Sequence, residues 1–204
     1  MLKIAVLGST SGTDLQAIID SLRNGSLQGV ELSVVISNKE EAYILERARQ
    51  AGISAVYLPS AEIEREAYDR KIAEILDKNE VKLLILIGYM RFLSPWFVHK
   101  YQNQIMNIHP SLLPAFAGGM DKNVHAEVLK AGVPETGCTL HFVDEGADTG
   151  PIILQKTVPV AKNETVESLK AKVQAAEQEI ILQALAWYRD GKIQVQDAKV
   201  KILA

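Results

Sequence analysis

The stretch "MLKIAVLGSTSGTDLQAIID", residues 1–20, joins an apolar strand to a helix through a turn rich in glycine and hydroxyl side chains. Apolar residues run without interruption over about 3–7, as in a strand that is buried on both faces. Helical spacing of apolar residues begins near residue 13 and continues to about 23. A strand that leads through a short turn into a helix is typical of α/β proteins with a parallel sheet.

The same alternation continues beyond this first unit. Runs rich in Val, Ile and Leu indicate further strands at 32–36, 54–58, 83–87 and 104–109. Polar segments with helical spacing lie between these runs at 41–51, 61–79 and 95–101. The pattern predicts an α/β fold of the Rossmann-like kind, an open, mostly parallel twisted sheet with helices on both faces.

The pattern changes after residue 132. The runs 136–143 and 151–160 are separated by only a short loop, which predicts an antiparallel strand pair toward the C-terminus. A long helix is expected at 165–189, and the tail 192–204 is expected to add a small edge strand or pair.

Composition limits the classes of function. The 204 residues carry a net charge of -3 without a concentrated basic stretch, so neither nucleic acid nor a membrane surface is an expected partner. Cys138 is the one cysteine, which excludes an intramolecular disulfide and a cysteine-based zinc site, and its alternating strand context indicates a core position. No apolar run is long enough to span a bilayer or to act as a secretory signal, so we expect a cytoplasmic protein.

The turn "VLGSTSGTDLQAII", residues 6–19, could bind a phosphate group. Gly8 and Gly12 would let the backbone approach an anion, and the hydroxyl groups between and beside them could add hydrogen bonds. No lysine follows as in a nucleoside-triphosphate loop, so a monophosphate is the expected ligand. The alternative is an ordinary helix start, with Thr13 or Asp14 as the N-cap.

The stretch "MNIHPSLLPAF", residues 106–116, ends a predicted strand with an amide and an imidazole. Alternation along the strand places the side chains of Asn107 and His109 on the same side. Ligands of open α/β sheets bind beyond the carboxyl ends of the strands, where this pair could stabilise a developing oxyanion. The alternative is a capping asparagine and a hydrogen-bonded structural histidine.

The stretch "HFVDEGADTGPIILQ", residues 141–155, has the densest group of ionisable side chains: His141, Asp144, Glu145 and Asp148. A carboxylate from this loop beside His109 would favour and orient the imidazolium and could move protons. A metal site is the competing interpretation, but no helical pair of histidines accompanies these residues, so we expect none.

Taken together, "NIHPSLLPAF" and "HFVDEGADTGPIILQ" resemble the folate-dependent formyltransferases. Shorter matches support the resemblance: "GSTSGTDLQAIID" at 8–20, "ISNK" at 36–39, "LERARQAGI" at 45–53, "REAYDR" at 65–70 and "GYMRFLSPWFV" at 88–98. The resemblance implies transfer of a formyl group from the co-substrate 10-formyltetrahydrofolate to the amine of glycinamide ribonucleotide (GAR), a step of purine synthesis. It also implies that Asn107, His109 and Asp148 are the catalytic residues.

The resemblance implies the binding residues as well. Those expected to bind GAR are Ser11, Gly12, Thr13, Asp14, Arg65, Pro110 and Glu177. Those expected to bind the folate are Met90, Arg91, Phe92, Leu93, Val98, Val143 and Asp144. We expect one domain over 1–204, with a mainly phosphate-binding half at 1–100 and a catalytic and folate-binding half at 101–190. A monomer or a homodimer is expected.

Two departures from the family pattern concern the binding site. Asp14 stands where the family commonly has asparagine, and its charge opposes a phosphate unless the side chain turns away to cap the helix. The segment 117–124 is longer than the usual form of this loop and precedes His125, which matches a family histidine.

Three other functions remain as alternatives. A formyltetrahydrofolate deformylase would use the same three catalytic residues with water as the acceptor, although the first strand starts at residue 3 and leaves no room for the usual N-terminal module. A methionyl-tRNA formyltransferase would need a further C-terminal domain and a basic surface. A folate- or phosphate-binding sensor would not be an enzyme.

Overall fold

The computed structural model describes residues 1–118 and 123–203 of the chain. Its strands are Leu2–Gly8 (β1), Val30–Ser37 (β2), Ser54–Tyr57 (β3), Leu83–Ile87 (β4), Ile105–His109 (β5), Glu135–Phe142 (β6), Ile152–Pro159 (β7), Ile193–Gln196 (β8) and Lys199–Ile202 (β9). Its helices are Thr13–Arg23 (α1), Tyr43–Gln50 (α2), Arg65–Lys78 (α3), Pro95–Lys100 (α4), Val124–Ala131 (α5) and Val166–Arg189 (α6). The chain divides into two compact units, Met1–Asn107 and Ile108–Ala204.

The first unit is a parallel sheet with the strand order β3-β2-β1-β4-β5. Its central strand β1 is fully buried from Ile4 to Leu7, as expected for a strand covered on both faces. The helices α1 to α4 connect successive strands, which is the crossover connection that parallel pairing requires. The carboxyl ends of β1 and β4 lie side by side, because Gly8 pairs with Ile87.

The second unit contains the antiparallel pair β6–β7, which follows β5 in the strand order of the seven-stranded sheet. The predicted fold class, a mostly parallel sheet with an antiparallel pair toward the C-terminus, is therefore confirmed. Helix α6 packs on this pair, and its buried residues include Leu169, Val173 and Ile180. The pairing of β6 with β7 shifts its register between Leu140 and His141, an irregularity that redirects the side chains beyond it.

Two elements differ from the sequence-based expectation. Helix α5 was not predicted, because it is short and follows a glycine-containing loop; Asn123 caps its start by accepting a hydrogen bond from the Ala126 N–H (3.2 Å). The C-terminal tail does form a strand pair, but β8 and β9 make a separate two-stranded sheet.

Among the residues that the structure describes, no helix has both the length and the apolar character needed to cross a membrane.

Candidate active site

His109 ends β5 and is buried, with 6% of its surface exposed. Its Nδ1 lies 3.3 Å from Asp148 Oδ2, and its Nε2 lies 3.2 Å from the carbonyl oxygen of Phe116. Both ring nitrogens thus face acceptor oxygens, an arrangement that suits a ring with two N–H donors. Burial nevertheless lowers the pKa of His109 below its usual value, although the Asp148 carboxylate acts in the opposite direction. The site therefore holds a histidine whose charge depends on a neighbouring anion.

Asp148 is the carboxylate at the centre of this site. Its backbone has φ 57°, a left-handed conformation that is uncommon for a residue other than glycine. The N–H of Gly118 donates to its Oδ2 (3.1 Å), and its Oδ1 faces His141 Nε2 at 3.6 Å. The His141 ring, the Gly118 N–H and the charge of His109 together hold the pKa of Asp148 at about 2, against the opposing effect of burial. The carboxylate is therefore ionised at neutral pH.

His141 is a member of this cluster that was not among the predicted catalytic residues. It lies in β6 beside the register shift and has only 2% of its surface exposed. Its Nδ1 is 2.8 Å from the carbonyl oxygen of Phe142, so a proton on Nδ1 is directed away from Asp148. The Asp148 carboxylate therefore lies between two buried imidazole rings, with one oxygen facing each ring.

A hydrogen-bond network fixes the loop that follows His109. Thr139 Oγ1 donates to the carbonyl oxygen of Ser111 (2.7 Å) and accepts from the Leu113 N–H (3.0 Å). Gln155 Nε2 donates to Thr139 Oγ1 (2.9 Å) and to the Leu113 carbonyl oxygen (3.0 Å). These bonds tie the loop to β6 and β7, so the residues beside His109 rest on regular structure.

The loop from Val143 to Gly150 is shaped by Asp144. Its Oδ1 accepts hydrogen bonds from the Gly146 N–H (3.0 Å) and from Thr149 Oγ1 (2.7 Å). At Gly150 a Cβ atom would lie 1.9 Å from the carbonyl oxygen of Phe142, so only glycine fits there. Asp144, predicted to bind folate, thus also maintains the turn that presents Asp148, and Val143 beside it is half-buried.

The predicted phosphate turn lies in the first unit, between β1 and α1. The N-cap of α1 is Gly12, with φ 66° and no capping side chain, so the alternative in which Thr13 or Asp14 caps this helix is wrong. Asp14 lies instead within the first turn of the helix, with 6% of its surface exposed. Ser11 is exposed, and its hydroxyl oxygen is 3.4 Å from that of Thr13. Gly12 can adopt a left-handed conformation at low cost, which explains why the backbone rather than a side chain starts the helix.

The predicted folate segment, Met90 to Leu93, also belongs to the first unit. The N–H of Met90 donates to Ser9 Oγ (2.9 Å), which joins this segment to the phosphate turn. Met90 and Phe92 are exposed apolar residues, at 38% and 50%, and Leu93 is half-buried. The Arg91 guanidinium stacks over the Tyr68 ring, with its carbon 4.6 Å from the ring centroid.

The other predicted residues are placed as follows. Asn107 is half-buried in β5, two residues before His109, so both side chains leave the same face of that strand. Pro110 is half-buried directly after β5, and Arg65 is exposed at the start of α3. Glu177 is buried in α6, at 5% exposure, and His125 is buried in α5.

One of the predicted residues falls short of a simple binding role. Val98, expected to contact folate, is 5% exposed in α4 and presents little surface to a ligand. The segment 117–124 lies partly outside the described residues. Within 1–118 and 123–203, no group of three or more His, Cys, Asp and Glu side chains could hold a metal ion.

Comparison with known proteins identifies the family. Residues 2–185 match the model of the formyl transferase family. The chain is 40% identical over 197 residues to phosphoribosylglycinamide formyltransferase of Escherichia coli, which covers 96% of this chain and 91% of that one. It is also 43% identical over 194 residues to the trifunctional purine biosynthetic protein adenosine-3 of Bos taurus, where the match spans 95% of this chain and 19% of that protein.

Solved structures agree with the sequence comparison. Glycinamide ribonucleotide transformylase 1 of Symbiobacterium toebii superposes with a TM-score of 0.94 at 43% identity and covers 100% of this chain and 95% of that one. A formyltetrahydrofolate deformylase of Pseudomonas syringae shares the fold, with a TM-score of 0.90 at 23% identity over 100% of this chain and 66% of that one. The predicted family is confirmed by the match over residues 2–185 and by the identity to the Escherichia coli enzyme, and this chain belongs to the formyl transferase family.

Proposed function

We propose that this protein transfers the formyl group of 10-formyltetrahydrofolate to the amine of GAR and forms formyl-GAR, a step of purine synthesis. The observation that carries the proposal is the buried pair of His109 and Asp148 at the end of β5, with 3.3 Å between Nδ1 and Oδ2. The relatives named for this reaction support the choice of substrates. The proposal includes the cytoplasm as the place where the protein works.

The first step of the proposed reaction is attack of the GAR amine on the formyl carbon. The formyl oxygen becomes an oxyanion in the tetrahedral intermediate, and Asn107 and His109 are the proposed donors to it. Burial disfavours a charged His109 in the resting site, whereas a second anion beside the ring favours the imidazolium. The ring would therefore interact more strongly with the intermediate than with the substrate, which is the condition for catalysis.

The second step moves a proton from the attacking amine to N10 of the folate as the C–N10 bond breaks. The new ammonium group supplies the proton, and N10 must receive one to leave as an amine. Asp148, with a pKa of about 2, is too weak a base to keep this proton. Its proposed role is to orient His109, to stabilise its charge and to polarise a water molecule that relays the proton.

Each unit separately contains residues that are proposed to bind GAR. In the first unit, the backbone of Ser11 to Asp14 is proposed to bind the GAR phosphate together with Arg65. In the second unit, Pro110 and Glu177 are proposed to contact the glycinamide portion.

The folate-binding proposal rests on exposed apolar surface. Met90 and Phe92 present such surface to a pterin ring, and Arg91 and Leu93 flank them. Val143 and Asp144, in the loop that carries Asp148, are further proposed folate-binding residues.

The proposal is tested by the change of Asp148 to Asn. Loss of the charge removes the partner of His109, so kcat should fall at least about a hundredfold while KM for GAR changes little. Glu135→Gln is the matched control, because Glu135 is an exposed carboxylate at the start of β6, whereas Asp148 follows the end of that strand. If Asp148→Asn retained a kcat near that of the parent, the proposed role of this carboxylate would be excluded.

A further inference from the structure

The turn between β1 and α1 is held from behind by helix α2. The N–H of Ile44 donates to the carbonyl oxygen of Thr10 (3.2 Å). Arg47 Nε donates to the carbonyl oxygen of Ser11 (2.8 Å). Two successive carbonyl groups of the turn are therefore directed at α2.

The orientation of these carbonyl groups determines where the next N–H groups point. In a trans peptide the C=O and N–H bonds lie in one plane and point in opposite directions. Since the Thr10 and Ser11 carbonyls face α2, the N–H groups of Ser11 and Gly12 face the opposite side. Successive N–H groups on one side of a turn form a concave site for an anion.

The packing of Gly12 shows that the turn and α2 fit each other closely. A Cβ atom at Gly12 would lie 2.4 Å from Ile44 Cγ1, and the residue has φ 66°. A displacement of the α2 contact would therefore alter the turn itself.

The Arg47 side chain is fixed by further contacts. Its Nη1 donates to Gln16 Oε1 in α1 (2.9 Å), and its guanidinium carbon lies 4.9 Å from the centroid of the Tyr43 ring. The planar guanidinium group thus joins the turn, α1 and α2 in one arrangement that an ammonium group cannot reproduce.

We infer that Arg47 is a positioning residue for the phosphate of the acceptor substrate. Its guanidinium group holds the Ser11 carbonyl against α2 and so directs the Gly12 N–H at the phosphate. The inference rests on the proposed function for the phosphate itself and adds the residue that gives the binding turn its shape.

The test compares Arg47→Met and Arg47→Lys with the parent protein. Binding of inorganic phosphate is measured by titration calorimetry without any formyl donor, and KM and kcat are measured with GAR. We expect Arg47→Met to weaken phosphate binding and to raise KM for GAR by about tenfold, the equivalent of one charge-assisted hydrogen bond, with kcat within about twofold. Arg47→Lys keeps the charge but should recover less than half of the lost binding free energy.

Arg49→Met is the matched control, because Arg49 lies on the same helix, is exposed and pairs with Glu46 (3.6 Å). It should leave phosphate binding and KM unchanged. Thermal unfolding shows whether each variant is folded, and Arg47→Lys serves as the second variant if Arg47→Met is not.

The outcomes separate this inference from the proposed function. Absence of GAR-dependent transfer by the parent would contradict the proposed function, while the phosphate titration would still test Arg47. Normal transfer by the parent, with phosphate binding and KM unchanged in Arg47→Met, would overturn the inference. The inference would also be overturned if Arg47→Lys bound phosphate as tightly as the parent and the difference in phosphate binding between the parent and Arg47→Met disappeared at high salt. That result would show a long-range charge effect. Failure of the parent to bind phosphate would exclude the turn as the site.

Discussion

Asp148 is a single carboxylate that faces two buried imidazoles, His109 at 3.3 Å and His141 at 3.6 Å. Only His109 ends a strand in the position expected for a residue that touches substrate. His141 contacts the opposite carboxylate oxygen and lies in β6. Its role in the proposed reaction is therefore to hold Asp148 in place and to keep it ionised.

Replacement of His141 by Phe should change the titration of Asp148. The pKa of Asp148 would rise from about 2 toward its usual value, because the His141 ring makes the largest contribution to the low pKa. We expect kcat to fall by about tenfold, with KM for GAR little changed. Carboxyl chemical shifts recorded against pH report the pKa directly. The parallel change of the exposed His99 to Phe is the control, and an unchanged Asp148 titration in His141→Phe would contradict this role.

The backbone of Asp148 gives a prediction about stability. A left-handed residue with a Cβ atom costs about 1 kcal/mol relative to glycine, and Asp148 has φ 57°. Asp148→Gly should therefore be more stable than Asp148→Ala by about 1 kcal/mol, although both lack the carboxylate. Urea unfolding of the two variants measures the difference. Equal midpoints would show that the left-handed conformation stores no strain.

At the scale of single residues, the sequence predicts which residues share the candidate site better than it predicts their geometry. A shared site can be expected from two features of the sequence. These are the spacing of Asn107 and His109 in a strand and the carboxylate in the loop after residue 141. The pairing of β6 with β7 shifts its register beside His141, and this pairing depends on β7, which local sequence does not specify. The N-cap at Gly12 depends in the same way on packing against Ile44 in another helix.

Among the elements, the junction between the folate segment and α4 depends on a buried carboxylate. Ser94 caps α4 by accepting from the Phe97 N–H (3.3 Å), and its own N–H donates to Asp69 Oδ2 (2.6 Å) in α3. Asp69 is 1% exposed, and its burial raises its pKa above the usual value. This contact joins Ser94, directly after the segment of Met90 to Leu93, to α3.

Asp69→Ala should loosen this junction. The Ser94 N–H would lose its buried acceptor, which should lower the free energy of unfolding by about 2 kcal/mol. KM for the formyl donor should rise more than KM for GAR, because the displaced segment is the proposed folate surface. Chemical denaturation and steady-state kinetics check the two parts. Asp20→Ala, on the exposed side of α1, is the control; a larger effect on KM for GAR than for the donor would contradict the assignment.

The elements show which signals in the sequence are sufficient. Helix α1 and strand β4 occupy the predicted 13–23 and 83–87, since each has strong periodicity and clear ends. Helix α5 was missed because eight residues give few turns in which periodicity can appear.

For the whole molecule, the burial of two histidines predicts how stability depends on pH. Burial lowers the pKa of His109 and of His125 below the usual 6.5, so the unfolded chain binds more protons than the folded one below that pH. Their contribution to stability is full above pH 6.5 and is lost as the pH falls through this value. Asp148 acts lower, because its contribution is lost only between 3.8 and about 2.

The free energy of unfolding should therefore decrease between about pH 8 and pH 5.5, as measured by urea denaturation. The double variant His109→Asn/His125→Asn should show a smaller decrease than the parent over this range. His99→Asn, on the surface of α4, should behave like the parent. An equal decrease in the parent and the double variant would assign the effect to other groups.

The fold does not distinguish a transferase from a hydrolase, because a deformylase shares it. The pair of His109 and Asp148 could stabilise the oxyanion formed by attack of either an amine or water. The acceptor therefore has to be identified by its product.

The most direct test follows a labelled formyl group from 10-formyltetrahydrofolate, with and without GAR, and identifies the product. The proposed function predicts that release requires GAR and that the label appears in formyl-GAR. Release at the same rate without GAR, with the label in formate, would contradict it and assign a hydrolase.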